Sequence, residues 1–215
     1  MEWFFKLAEK IQTLDEQAFL WVNLVWTHPW ADQFFLFLTN MHKIPWVKWG
    51  LLPLVLLVWF YFKGRQIYKV VVVLALMVAL TDTLGYRVLK AHFDRPRPNN
   101  TAHLQGELRL PHSPQSGSFP SNHALNTFAG ATVLTWYYPQ LWPVYFSIAF
   151  LTAYSRVYVG VHYPTDVLAG GLIGFLIVVL LHRVLLRHLT WIHPEVRRRT
   201  GGTYVIDRPR WMDFR

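Results

Sequence analysis

Long runs without charge constrain this chain more than any other feature. Leu51 to Phe62, Val70 to Leu80 and Val167 to Leu181 carry no charged residue, and with its flanks each grows toward the ~20 residues an α-helix needs to cross a bilayer. A helix apolar on every face is buried in a large core or in lipid, and these segments read as membrane helices. Composition agrees: 53% of the 215 residues are apolar and 15% charged, where a soluble domain carries about 25% charged residues. The 11 Trp and 10 Tyr suit aromatic belts at the two membrane–water boundaries. Trp46, Trp49, Trp136, Tyr137, Tyr138 and Trp142 all stand beside the ends of apolar stretches.

Lys and Arg number 21 against 12 Asp and Glu. On a membrane chain that excess suits anionic lipid or an anionic substrate, and no nucleic-acid motif is present. The absence of Cys excludes disulfide staples and thiolate metal sites. Between Met1 and Glu16, charged residues are scattered among apolar ones, unlike the basic start and apolar block of a cleaved leader. Trp3, Phe4, Phe5, Leu7, Ile11 and Leu14 recur at helical spacing, so residues 2 to 15 are expected to form an amphipathic helix in the interface. An ordinary cap helix on the cytosolic side fits the same pattern.

Six spans are expected, at roughly 19 to 38, 45 to 62, 68 to 87, 123 to 139, 142 to 160 and 165 to 186. The fold class is then an all-α, six-helix integral membrane bundle over residues 19–187, preceded by an interfacial helix at 1–18 and followed by a basic cytoplasmic tail at 188–215. Lys63, Arg65 and Lys69 lie between the second and third spans, and Arg183, Arg187 and Arg197-Arg198-Arg199 follow the sixth. The positive-inside tendency puts both groups, and with six spans both termini, in the cytoplasm. Residues 39 to 44, the connection 88 to 122 and the turn at 160 to 165 then face the other side.

The chemistry concentrates in the latter two. Lys90, Arg95, Arg97 and Arg156 border apolar spans, where a cation is costly unless it meets a partner or water. In Arg95-Pro96-Arg97-Pro98 the prolines hold the chain extended, and arginines on stiff backbone suit a bidentate grip on phosphate. A basic rim that snorkels to lipid headgroups, with Arg95 paired to Asp94, fits equally. In Phe119-Pro120-Ser121-Asn122-His123, Ser121 or Asn122 can cap the fourth span so that its free N–H groups face an anion, with His123 in the first turn. In the run from Ser155 to Asp166, Pro164 suits the first helical position, leaving His162 just outside the helix and Asp166 in its first turn. The Asp166 carboxylate can there fix the His162 tautomer, or merely complement the helix dipole. His123, His162 and Asp166 are also metal-ligand types, though the surrounding cations would repel a divalent ion and hold a phosphate.

Lys90 followed by six residues and Arg97-Pro98, then Pro120-Ser121-Asn122-His123, then Ser155-Arg156 with His162 and Asp166, resembles the three-part signature of the type 2 phosphatidic acid phosphatase family, which is shared with vanadium haloperoxidases and bacterial acid phosphatases. The resemblance covers roughly residues 20 to 187, and Asn122 stands where the family usually has Gly. It implies a six-span bundle in which His162 attacks phosphorus to form a phosphohistidine, Asp166 orients it, and His123 protonates the departing lipid oxygen. Lys90, Arg97, Ser121, the backbone N–H near Asn122, and Arg156 would surround the phosphoryl oxygens, with no metal or other cofactor required. Bacterial members act on undecaprenyl diphosphate, phosphatidylglycerol phosphate or the 1-phosphate of lipid A. The expected partner is therefore a lipid phosphate in the bacterial inner membrane, met at its outer face. A lipid-to-lipid phosphotransferase would use the same intermediate, and a non-catalytic lipid-binding protein would need the cations alone.

Overall fold

The computed structural model describes residues 2–64, 66–104, 108, 116–184, 196–200 and 203–207. Arg65, Arg187, residues 105–107 and 109–115 of the 88–122 connection and much of the tail, all within the expectations above, lie outside the described residues.

Helix α1 (Glu2–Leu20) runs beyond the expected end at residue 15. It exposes Trp3, Phe5, Leu7, Ile11 and Leu14 and buries Asp15 and Phe19. The chain widens into a π turn at Trp21–Val25 and then breaks, because His28 precedes Pro29 and is held extended at φ −153, ψ 140. Helix α2 (Pro29–Asn40) follows. The expected first span, 19 to 38, is therefore not one helix, and it does not leave its end of the bundle. The Asn23 amide donates to the Tyr158 carbonyl at 2.7 Å, Asp32 accepts from the Tyr158 hydroxyl at 2.6 Å, and Thr39 meets Arg156. Asp15, just before this segment, reaches Thr165. After a turn at Met41–Lys43, a π turn at Val47–Leu51 leads into α3 (Leu52–Lys63), and the α2 and α3 paths meet at 59°.

Helix α4 (Gln66–Thr83) continues through a π segment, Leu84–Leu89, into the short α5 (Lys90–Phe93). The third expected span thus extends past residue 87, and Lys90 stands on a helix rather than in a loop. Three helices complete the bundle: α6 (Asn122–Tyr137), α7 (Trp142–Tyr158) and α8 (Pro164–Val184). Helix α6 is central. Its Ala129, Val133 and Trp136 meet Val73 and Met77 of α4 and Val178 of α8. A Cβ added at Gly170 would lie 2.5 Å from the Ser121 carbonyl oxygen, and one at Gly174 would collide with the Leu125 carbonyl. This small-xxx-small stripe lets the α8 backbone touch α6, a packing mode typical of membrane helices.

The bundle turns a lipid-compatible surface outward, with Leu54, Leu57, Phe62, Leu76, Phe150, Leu168, Leu172 and Leu180 exposed. Among the described residues two helical paths are long and apolar enough to cross a membrane, Gln66–Asn100 and Pro164–Arg183, and the bent pair Pro29–Lys43 with Val47–Lys63 supplies a third. Helices α6 and α7, of 16 and 17 residues, reach only about 25 Å at about 1.5 Å per residue, against a hydrocarbon core of about 30 Å. Six separate long spans are therefore not found. The end opposite the 156–166 connector gathers Lys63 over the Tyr138 ring at 5.6 Å and Trp136 against His182 at 3.7 Å. Beyond the all-helical bundle, β1 (Val196–Thr200) pairs antiparallel with β2 (Thr203–Asp207), Val196 opposite Asp207.

Candidate active site

The connector between α7 and α8 carries His162 and leads into Asp166. Gly160 takes φ 82, a left-handed conformation that glycine adopts without strain. The chain then folds back, so that the N–H groups of Val161 and His162 both donate to the Arg156 carbonyl, at 3.1 and 3.2 Å. Pro164 opens α8 and Asp166 sits in its first turn. Asp166 Oδ2 accepts from the Tyr163 N–H at 2.9 Å and lies 3.4 Å from His162 Nδ1. Both side chains are almost wholly enclosed, at 2% and 0% exposure.

The opposite imidazole nitrogen, Nε2, is 3.1 Å from Arg97 Nη1. A guanidinium can only donate, so Nε2 accepts from Arg97 and the ring proton falls to Nδ1, which faces Asp166 Oδ2 at 3.4 Å but makes no hydrogen bond among the described residues. Burial, reinforced by Arg97, Arg156 and Lys90, holds the His162 pKa well below the usual 6.5. The ring is thus a neutral imidazole with its acceptor nitrogen among cations.

Those cations arrive from separate elements. Arg97 leaves the helical path on extended backbone at φ −79, ψ 156, and its guanidinium also donates to the carbonyls of Ser116 and Val161 at 2.7 and 2.8 Å. Lys90 of α5 is buried and donates to the Gly117 carbonyl at 2.8 Å. Arg156 of α7 meets the Thr39 hydroxyl, while its Nε is buried with no hydrogen-bond partner among the described residues. Lys90 lies within electrostatic reach of Arg97, Arg156 and Asp166 together.

Ser121 occupies the N-cap of α6, but its hydroxyl makes no capping bond; it is buried and without a partner among the described residues. Its N–H donates to the Asp166 carbonyl at 3.0 Å, tying the start of α6 to the start of α8. Asn122 departs from expectation. Its side-chain amide donates to Asp82 at 3.1 Å and its Oδ1 is packed against Gly85, so the side chain points toward α4 and only its backbone N–H stays at the helix N-terminus. His123 stands in the first turn within electrostatic reach of Arg156 and His162, its ring 5.3 Å from that of His42.

Several neighbours escaped the sequence reading. Arg95 pairs not with Asp94 but with Asp15 and Asp166, each at 2.8 Å. Asp15, Thr39 and His42 belong to no motif, and only the folding back of residues 15–42 onto the connector brings them here, while Thr165 lies within the 155–166 run but was assigned no role.

An enclosed imidazole with a carboxylate beside one nitrogen and a guanidinium at the other, with two further cations within electrostatic reach, makes a buried basic site suited to an anionic group. The class this defines is a membrane-embedded, helical enzyme of phosphoryl chemistry. Residues 66–189 match the PAP2 superfamily; the chain belongs to that family and is a phosphatase. It is 31% identical over 174 residues to the lipid A 4'-phosphatase of Bacteroides thetaiotaomicron, covering 78% of this chain and 75% of that protein. It is 36% identical over 111 residues to the undecaprenyl-diphosphatase of Sulfolobus acidocaldarius, 51% of this chain and 52% of that one. Among solved structures, Aquifex aeolicus LpxE superposes with a TM-score of 0.57 at 31% identity, covering 78% of this chain and 93% of that one. The PAP2 type phosphatidylglycerolphosphate phosphatase of Bacillus subtilis gives 0.60 at 26% identity, covering 83% and 87%.

Proposed function

We propose that this protein hydrolyses the phosphate of an envelope lipid, a lipid A phosphate, phosphatidylglycerol phosphate or undecaprenyl diphosphate, through a phosphohistidine on His162. The observation that carries the reading is the Arg97 contact at His162 Nε2, which leaves that lone pair facing the cation cluster. In the step, Nε2 attacks phosphorus as the bond from phosphorus to the lipid oxygen breaks. His123, which takes up a proton as the bound phosphate anion offsets Arg156 and the other nearby cations, gives that proton to the oxygen, and Asp166 stabilises the charged His162 imidazole. Water deprotonated by His123 then attacks the same phosphorus, breaking the N–P bond and releasing inorganic phosphate. Lys90, Arg97, Arg156, Ser121 and the first N–H groups of α6, Asn122's included, bear the transition-state charge.

The activities for which the relatives are named motivate the three lipids, and the exposed apolar flanks of the bundle suit a substrate whose tails stay in hydrocarbon. With the shorter α6 and α7 accommodated by a locally thinned bilayer, the described helix ends favour five crossings over the six first expected: the bent α2–α3 path, α4, α6, α7 and α8, with α1 and the 156–166 connector at one end and the Lys63 and Arg183 end opposite. Positive-inside then sets the catalytic end at the outer face of the bacterial inner membrane.

The test is phosphate release from the three lipids by purified wild type and His162→Ala in detergent. Release by wild type, reduced at least about 1,000-fold in the variant, is expected and ranks the lipids. Equal release by both would sink the reading.

A further inference from the structure

Helix α1 carries charge on its outer surface, with Glu2, Lys6, Glu9 and Lys10 all exposed, yet it buries one carboxylate, Asp15, at 4% exposure. An enclosed charge costs several kcal/mol unless it is paired and hydrogen-bonded. Asp15 is both: Oδ1 accepts the Thr165 N–H at 2.9 Å, and Oδ2 takes Arg95 Nη2 at 2.8 Å and the Thr165 hydroxyl. The other arm of the same guanidinium, Nη1, reaches Asp166 Oδ1 at 2.8 Å and Thr165 Oγ1 at 2.9 Å. Below, Arg95 stacks on the Tyr163 ring at 4.1 Å, and that ring packs edge-on against Phe19, one turn beyond Asp15. Arg95 thus spans two buried carboxylates, one on α1 and one behind the reactive histidine. With Oδ1 of Asp166 taken by Arg95, Oδ2 is the oxygen left to the His162 side.

We propose that Asp15 and Arg95 are positioning residues, a brace through which α1 fixes the rotation of the Asp166 carboxylate and hence the aim of His162. The brace rests on the phosphatase reading and extends it: a helix that lies outside the bundle and turns Trp3, Phe5, Leu7, Ile11 and Leu14 outward completes the catalytic geometry from the membrane surface. Six charged or titratable groups bear on Asp166: Arg95 by contact, His162 beside it, Tyr163 through its N–H and its nearby phenol, Lys90 and Arg97 within electrostatic reach, and Asp15 through Arg95.

The experiment compares kcat, KM and the pH profile of full-length wild type, Asp15→Asn, Arg95→Gln and Thr165→Val on whichever of the three lipids wild type turns over, with melting in detergent followed alongside. A misaimed nucleophile costs rate rather than binding, so Asp15→Asn is expected to lose about 10- to 100-fold in kcat with KM held within about 3-fold. Arg95→Gln removes the cation at Asp166, so its acid limb of kcat should move upward by about 1 pH unit or more. Thr165→Val keeps every charge and carries the test should Asp15→Asn not fold, with a kcat loss of about 3- to 10-fold expected. Wild-type kcat and pH profile in Asp15→Asn or, where that variant does not fold, in Thr165→Val would overturn the brace alone. So would a loss that follows the melting temperature while the pH profile stays put. A wild type that releases no phosphate would overturn the phosphatase reading and the brace with it.

Discussion

At the residue scale the sequence reading named residues that the fold gathers around His162 and missed Asp15, Thr39 and His42 beside them. His162, Asp166, Lys90, Arg97 and Arg156 announce themselves because cations and a His–Asp pair bordering apolar spans are too costly to be incidental. The side-chain direction of Asn122 was not legible, since it depends on Asp82 forty residues earlier lying across the α4–α6 contact. The protonation state of His162 carries a prediction. Its pKa lies below 6.5 through burial first and the cations next, so the nucleophile stays neutral as pH falls through that value. Removing one cation, Arg97→Gln, lets the ring hold its proton to higher pH. The acid limb of kcat/KM should therefore shift upward, alongside a loss of about 100-fold in kcat; a pH–rate profile checks the sign, and an unmoved or lowered limb counts against this account of the site.

At the element scale, apolar runs forecast α3, α4 and α8, but hydropathy cannot see a bend. Residues 19–38 are apolar enough to suggest a crossing, and only the extended backbone at His28 and the contacts of Asn23, Asp32 and Thr39 reveal a segment folded across the end of α7. The α6–α8 contact is likewise a matter of backbone approach, carried by Gly170 and Gly174. Gly174→Val would drive two extra carbon branches into the Leu125 carbonyl region. Overpacking of this kind costs about 1–3 kcal/mol or more. The measurement is folded yield and melting in detergent, where the variant should melt well below wild type. Because Ser121 and Asp166 are joined across the same contact, activity should fall with it, and an unchanged melting temperature would show that the helices have room to part.

At the scale of the whole molecule, the catalytic connector and the Lys63 end lie at opposite poles of an apolar bundle, and the proposed five crossings put the N-terminus with the site. The chain contains no Cys, so single cysteines can be read without background. Lys43→Cys and Lys63→Cys, both at exposed positions, should react with a membrane-impermeant thiol reagent from opposite sides of sealed vesicles; labelling from the same side would overturn this topology. The central claim is the covalent intermediate. The most direct measurement is a rapid acid-free quench of wild type and His162→Ala with a lipid carrying radiolabelled phosphate, followed by denaturing separation. The account predicts label on the wild-type protein that survives base, is lost in mild acid and is absent from the variant. Steady phosphate release with no trapped label at any time point, or label retained by His162→Ala, would contradict it.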